Sequence, residues 1–345
     1  MINRTGAGRQ LRDTALTLVF GAAGALGFSA LGYPAPFLSG PALVVTLATL
    51  AGLPAIIPNL LLNIAFLLLG LGIGAGVTPE VFAAAATWPL SIVALALVLI
   101  ATIFAGRTLL QSGFGFDRRT ATMSAVPGLL SYMLSLASES RVDLARVSLV
   151  QGVRVLLLTL VVPFAFSLFG AELPPPARPT VVMLPLIVAI LFVVASLGGT
   201  LLQRLRVPAA YILAGLVVAA FGQLTGLALG ALPQGLSLAA FVVVGSLIGS
   251  RFRGLSLKEL RATALAGVST TMLAGALAAI AGLLVAWLLE LPVALVLVAF
   301  APGGVEVMIA MSVQLGLDST FVAAHHVARL LILMAVLPFI IPRPR

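Results

Sequence analysis

Cysteine is absent from this chain. That excludes disulfides, thiolate metal sites and iron–sulfur clusters, and it carries no information on compartment. Charge is nearly as scarce: 8% of the residues are charged, against about a quarter in a soluble globular protein. Lysine occurs once, at Lys258, and histidine twice, at His325 and His326. A 345-residue chain this poor in charge cannot cover a water-facing surface, so its solvent is lipid. No long polar stretch remains for a separate soluble domain, and no basic face with interleaved aromatics is available for nucleic acid. The two histidines are adjacent and point about 100° apart on a helix, so they do not chelate one metal together. With a single carboxylate inside an apolar segment, no metal centre, cofactor or catalytic residue is expected, and the chain does not read as an enzyme.

What is present is apolar. Hydrophobic residues make up 61% of the chain, and the mean hydropathy is +1.22. Apolar segments fall at roughly 14–31, 36–53, 59–78, 88–110, 120–140 and 144–169, then at 182–202, 208–229, 236–250, 262–289, 292–316 and 319–341. Runs of this length are spanning-helix candidates. The net charge of +9 sits in short clusters between them, as cytoplasmic loops of a membrane protein require. Arg4, Arg9 and Arg12 precede the first run, which lacks a small-residue cleavage site and reads as a retained span.

The two sets of segments repeat one pattern. Pro127-Gly128 and Pro302-Gly303 are 175 residues apart, as are Met133 and Met308, Asp143 and Asp318, Arg154 and Arg329, and Pro163-Phe164 and Pro338-Phe339. Pro34-Ala35 and Pro208-Ala209 are 174 apart. Recurrence of rare polar residues within apolar segments marks an internal duplication. The expected organisation is a first membrane repeat over 1–170, a linker over 171–181 holding Pro174, Pro175, Pro176 and Pro179, and a second repeat over 182–345. The fold class is all-α integral membrane, with about six apolar segments per repeat and 10–12 spans in all.

Loop charge bears on orientation. If each fifth segment dips in at its Pro-Gly and returns, the arginine clusters before and after it fall on one side with the N-terminal arginines and Arg343/Arg345. Each copy then has five spans, and the copies are inverted. Inverted repeats with discontinuous helices are a common plan for secondary transporters.

The candidate site lies at those fifth segments. Proline removes a backbone donor and glycine tolerates a turn, so each helix should break at Pro127-Gly128 and at Pro302-Gly303-Gly304. Such a break offers unpaired N–H groups to an anion. Glu306 lies well inside an apolar segment and needs a cation, a proton or an arginine partner. It reads either as the coupling residue or as a structural partner of Arg329. Arg154 and Arg329 are too deep in their segments to snorkel. They either satisfy carbonyls of the broken helices or grip an anionic solute. With Ser131 where the second copy has Glu306, Arg154 is the freer of the two and the candidate solute arginine. Gln151 with Arg154, and His326 with Arg329, share a face at i, i+3, and His326 is a candidate for proton transfer. The glycines of Gly21–Gly27 and Gly70–Gly76 lack a flanking strand and lysine, and read as close helix packing rather than nucleotide loops.

Pro34-Ala35, Pro208-Ala209, Phe116-Asp-Arg-Arg119, Pro302-Gly-Gly304 and Arg329-Leu-Leu331 together resemble the AbrB family of bacterial inner-membrane proteins over essentially the whole chain. Pro127-Gly128-Leu129 departs from that pattern by lacking the second glycine. The layout also resembles the larger group of cation/proton antiporters and bile-acid-type symporters, whose broken segments often cross fully, in competition with re-entry. These resemblances imply a multi-pass inner-membrane protein, with lipid and a small solute or ion as partners and homo-oligomers as an option. Family labels such as ammonia monooxygenase or regulator of gene expression gain no catalytic or DNA-binding residues here. The expectation is secondary transport of a small anionic solute coupled to protons or a cation. The alternative is a membrane sensor acting on gene expression indirectly.

Overall fold

The computed structural model describes residues 4–79, 88–128, 142–168, 181–205, 207–255 and 257–340. Its described residues are mostly helical, with one isolated bridge between Val182 and Ala231. Six helices are long and apolar enough to cross a bilayer: Gly8–Ala30, Trp88–Phe114, Leu144–Phe166, Pro185–Arg204, Thr263–Leu288 and Ser319–Leu337. Shorter apolar helices include Pro36–Leu50, Asn59–Gly74, Ala210–Leu224 and Gln234–Ser250. The chain is an all-α membrane protein. Except for Val181, the linker at 171–181 lies outside the described residues, as does Ser131.

The helices recur at the spacing of the sequence pattern. Arg118–Ala125 and Val293–Phe300 begin 175 residues apart, as do Leu144–Leu168 and Ser319–Ile340, and Asn59–Gly74 and Gln234–Ser250. The Pro-Ala pairs have one local use. Ala35 and Ala209, at φ of 52° and 54°, turn the chain through the left-handed region just before Pro36–Leu50 and Ala210–Leu224. Asp143 and Asp318 also match. Each carboxylate accepts a backbone N–H of the helix it precedes, from Arg146 at 3.0 Å and from Thr320 at 2.9 Å.

The chain divides into two compact units. The first takes residues 1–85, 163–253 and 309–320. Its helices approach to backbone contact through glycine. A Cβ at Gly70 would strike the Ile212 carbonyl, and one at Gly215 would lie 2.5 Å from the Leu67 carbonyl. In the matching pair of helices, a Cβ at Gly245 would lie 2.5 Å from the Leu38 carbonyl. Gly24 and Gly40 meet each other in the same way. In lipid no hydrophobic force draws helices together, so this close packing supplies the association energy. Gly70→Ala or Gly245→Ala is expected to destabilise the protein by about 1–3 kcal/mol, because the obstructing atoms are backbone and cannot swing away. Gly27 faces open space, so Gly27→Ala should be neutral or stabilising by up to about 1 kcal/mol. Thermal unfolding of the purified protein in detergent compares the three, and equal effects at Gly27 and Gly70 would overturn the packing argument.

The outer faces are apolar. On Pro185–Arg204 a stripe of Leu186, Ile190, Val193, Leu197 and Leu201 is exposed at helical spacing, as a lipid-facing surface should be. Interior hydroxyls are returned to their own helices, as Thr46 to Ala42 at 2.6 Å and Thr270 to Ala266 at 2.6 Å. These bonds remove donors that lipid cannot satisfy.

Candidate functional site

The second unit takes residues 86–162, 254–308 and 321–345, and it holds both helix breaks. The first break follows Arg118–Ala125. That helix is started by Asp117, whose carboxylate accepts from the Arg119 and Thr120 amides at 3.0 Å each. Burial acts to raise the Asp117 pKa, but the hydrogen bonds from Thr120 and Arg119 outweigh it and hold the carboxyl below its ordinary value. The helix ends at Val126, which is extended, and Gly128 then turns at φ 84°. The second break follows Val293–Phe300. It runs through Ala301, Pro302, Gly303 and Gly304 before the chain resumes as the helix Val305–Gln314.

A helix that stops inside a membrane strands its last carbonyls. Here the two buried arginines take them. Arg154 donates through Nη1 to the Ala125 carbonyl at 3.1 Å and through Nη2 to the Val126 carbonyl at 2.9 Å. Arg329 donates through Nη1 to the Ala301 carbonyl at 2.9 Å and through Nη2 to the Gly303 carbonyl at 2.6 Å. One turn earlier on each helix, Gln151 donates to the Met123 carbonyl at 2.9 Å, and His326 Nε2 lies 3.1 Å from the Val298 carbonyl. Met123 and Val298 are again 175 apart, as are Val126 and Ala301. The two sites are thus the same device built twice: a guanidinium at the negative end of a short helix, where a cation is favoured.

Both guanidinium forks rest on carbonyls, that of Arg154 on the first break and that of Arg329 on the second. Glu306 lies beyond 4.0 Å of the Arg329 guanidinium, although its charge still acts on it through space. Among the described residues, ion pairs within 4.0 Å join Arg12 to Asp13 and Arg146 to Asp143. Glu306 instead sits partly buried in the first turn of Val305–Gln314, where the positive end of the helix suits a carboxylate.

The two breaks come together. A Cβ at Gly128 would lie 2.7 Å from Arg329 Nη2 and 3.4 Å from the Gly303 carbonyl. Pro127 and Pro302 line one narrow crevice, with room for about one water, together with Arg329 and Thr102. Leu95, Leu99 and Phe300 complete its apolar wall. Arg154 does not line it. Among the described residues, three buried polar atoms around the breaks lack a partner: Ser124 Oγ, His326 Nδ1 and Arg329 Nε. Because a carbonyl only accepts, the proton of His326 sits on Nε2 and its Nδ1 is a bare acceptor.

The histidines part company, as adjacent helical residues must. His325 turns away from the breaks to Ser91 Oγ, at 2.7 Å from its Nε2, and to the Phe321 carbonyl, at 2.8 Å from its Nδ1. Trp88, Phe300 and Phe321 surround its ring. Sequence reading missed Ser91, Thr102 and Phe300. The one available signal was the buried face Ser91, Leu95, Leu99, Thr102 on Trp88–Phe114, where two hydroxyl residues flank two leucines.

Comparison with known proteins agrees with this architecture. A Bacillus subtilis (strain 168) protein described as "Uncharacterized protein YhjN" is 30% identical over 244 residues. The match takes in 64% of this chain and 62% of the relative, so it spans less than two thirds of the relative's length. No solved structure matches. The family model described as "Transition state regulatory protein AbrB" matches residues 37–343. That match covers both breaks, both arginine locks and nearly every described helix, and the chain belongs to the AbrB family.

Proposed function

We propose that the chain is a secondary transporter that carries a small anionic solute across the bacterial inner membrane, coupled to a proton or a cation through Glu306. The observation that carries this reading is the meeting of two helix breaks at one crevice, with Pro127, Pro302 and Arg329 in its wall. Unwound backbone at membrane depth is tolerated where it is covered by protein or lines a cavity, and discontinuous helices are how many transporters present backbone groups to a solute. The recurrence of helices at a spacing of 175 supports a duplicated unit, 1–170 and 182–345. Loop charge supports its inversion, which supplies two related conformations open to opposite sides. Gly303, Gly304 and Glu306 sit at the start of the second half-helix, where a change in the charge of Glu306 alters the field at the break. In this reading the regulation named in the family description is indirect, through the level of the solute moved.

The test is transport in proteoliposomes under an imposed pH or cation gradient. Glu306→Gln is expected to keep exchange of solute while losing its dependence on the gradient. Unchanged gradient dependence in that variant would remove Glu306 from coupling. Absence of flux for small carboxylates, phosphates and amines alike would sink the transporter reading.

A further inference from the structure

A second buried polar cluster joins the helices Trp88–Phe114 and Ser319–Ile340. His325 is 0% exposed, with Nδ1 2.8 Å from the Phe321 carbonyl and Nε2 2.7 Å from Ser91 Oγ. A carbonyl only accepts, so His325 carries a proton on Nδ1. Ser91 Oγ also lies 2.8 Å from the Trp88 carbonyl, and its single hydroxyl proton has two places to go. Turned to His325, the hydroxyl donates to a bare Nε2, and the ring is neutral. Turned to Trp88, it leaves a lone pair facing Nε2, and a proton on that nitrogen is donated in turn. Every donor then meets an acceptor, and the ring is an imidazolium. The cluster thus has a place for one more proton, reached by rotating one hydroxyl.

The surroundings suit that cation. The Phe321 ring centroid lies 4.0 Å from that of His325, within cation–π range, and Trp88 and Phe300 follow at 6.2 and 6.3 Å. Among the described residues no carboxylate lies within 4.0 Å of His325. Its own helix places His326 beside it and Arg329 one turn on. The helix Trp88–Phe114 brings Arg107, 16 residues beyond Ser91 and so about 24 Å along the axis. Val293–Phe300 brings no titratable side chain. The first repeat shows what the fold itself needs here. At the spacing of 175, His325 matches Val150 and Ser91 matches Ala266, and those two sit in one buried apolar cluster. Packing alone serves at the matching place, without a polar pair. His326 differs: it matches Gln151, which holds the equivalent carbonyl without titrating.

We propose that His325, Ser91 and the Trp88 carbonyl form a proton-binding site, separate from Glu306 and present whether or not the chain transports. A proton from water forms the N–H bond at His325 Nε2, while Ser91 keeps its own hydrogen and turns it to Trp88. Loading exchanges a neutral hydrogen bond between the two helices for a charge-assisted one. It also sets a positive charge one turn from Arg329, which holds the second break. Phe300, the last residue of the helix that ends at that break, lies against the same ring. Proton occupancy of His325 therefore bears on the second break and has no counterpart at the first.

The experiment is heavy-nitrogen NMR of the full chain in detergent, labelled at histidine, from about pH 9 down to about pH 5. The chain has two histidines, and their neutral tautomers tell them apart: Nδ1–H for His325 and Nε2–H for His326. The Nδ1–H histidine is expected to gain a second N–H while the chain stays folded, and the Nε2–H histidine to remain neutral. Ser91→Ala should cut the protonated-to-neutral ratio of His325 about tenfold at a given pH, the equivalent of one lost hydrogen bond. Ser91→Ala combined with His325→Val copies the first-repeat pair, so that chain should fold and show one histidine that does not titrate. A Nδ1–H histidine that stays neutral throughout would overturn the inference. So would a second proton appearing on His326 instead, or an unchanged ratio in Ser91→Ala. Should either variant fail to fold, the wild-type titration decides the matter by itself.

Discussion

Arg154→Ala is expected to destabilise the protein by on the order of 4 kcal/mol, one of the two largest effects of a single substitution near the breaks. The Ala125 and Val126 carbonyls each lose a charged donor, at roughly 2 kcal/mol apiece for a buried acceptor left unpaired. The side chain is 1% exposed, so no water stands ready to replace it. Arg154→Lys should recover only part of the loss, because one ammonium on a flexible stem does not hold two carbonyls as a planar fork does. Gln151→Leu removes a single bond to Met123 and should cost about 1–3 kcal/mol. Thermal unfolding ranks the three, and wild-type unfolding of Arg154→Ala would show that the carbonyls of the first break do not depend on the guanidinium. Because Arg154 does not line the crevice, Arg154→Lys should also leave the affinity for a stabilising solute unchanged in whatever fraction folds.

Gly128→Ala should cost on the order of 3 kcal/mol, from two sources. At φ 84° an L residue is strained by about 1–2 kcal/mol. Its Cβ would also lie 2.7 Å from Arg329 Nη2, pushing against a guanidinium already held 2.6 Å from the Gly303 carbonyl. One methyl group on the first break thus acts on the lock of the second. Gly304→Ala is the contrast. Its Cβ would meet nothing nearer than 3.7 Å, and its backbone is not left-handed, so the change should be nearly neutral. Unfolding temperatures of the two variants test this, and equal losses would contradict the geometry. The position matching Gly304 in the first break is Leu129, 175 residues earlier.

Several parts of the site were legible before any coordinates. Proline and glycine interrupt a helix by covalent geometry, so Pro127-Gly128 and Pro302-Gly303 announced the breaks. Arginine, glutamine and histidine are costly in lipid, so Gln151, Arg154, His326 and Arg329 stood out as residues with interior partners. Their spacing of 175 showed that whatever Arg154 does, Arg329 does in some form as well. Rarity was the signal in each case.

The partners were not legible. Arg154 reaches carbonyls 28 and 29 residues back along the chain, and Arg329 reaches carbonyls 26 and 28 back. A backbone carbonyl belongs to every residue and leaves no mark in a sequence. Glu306 read either as a coupling residue or as a partner of Arg329; the carbonyls of the break stand nearer to the Arg329 fork and take it, while Glu306 acts on its charge from beyond 4.0 Å.

The sequence by itself determined the solvent, the helices, their breaks and their twofold recurrence, because these follow from composition, covalent geometry and the cost of polar groups in lipid. Only the tertiary structure decided which arginine faces the crevice, which glycine must remain a glycine, and that Thr102 and Phe300 belong to the site. The physical reason is that a membrane helix is apolar on every side. Hydropathy then carries no contrast between the face turned to lipid and the face turned to protein. That choice is made by the close fit of helix against helix, which pairs of distant residues settle in three dimensions.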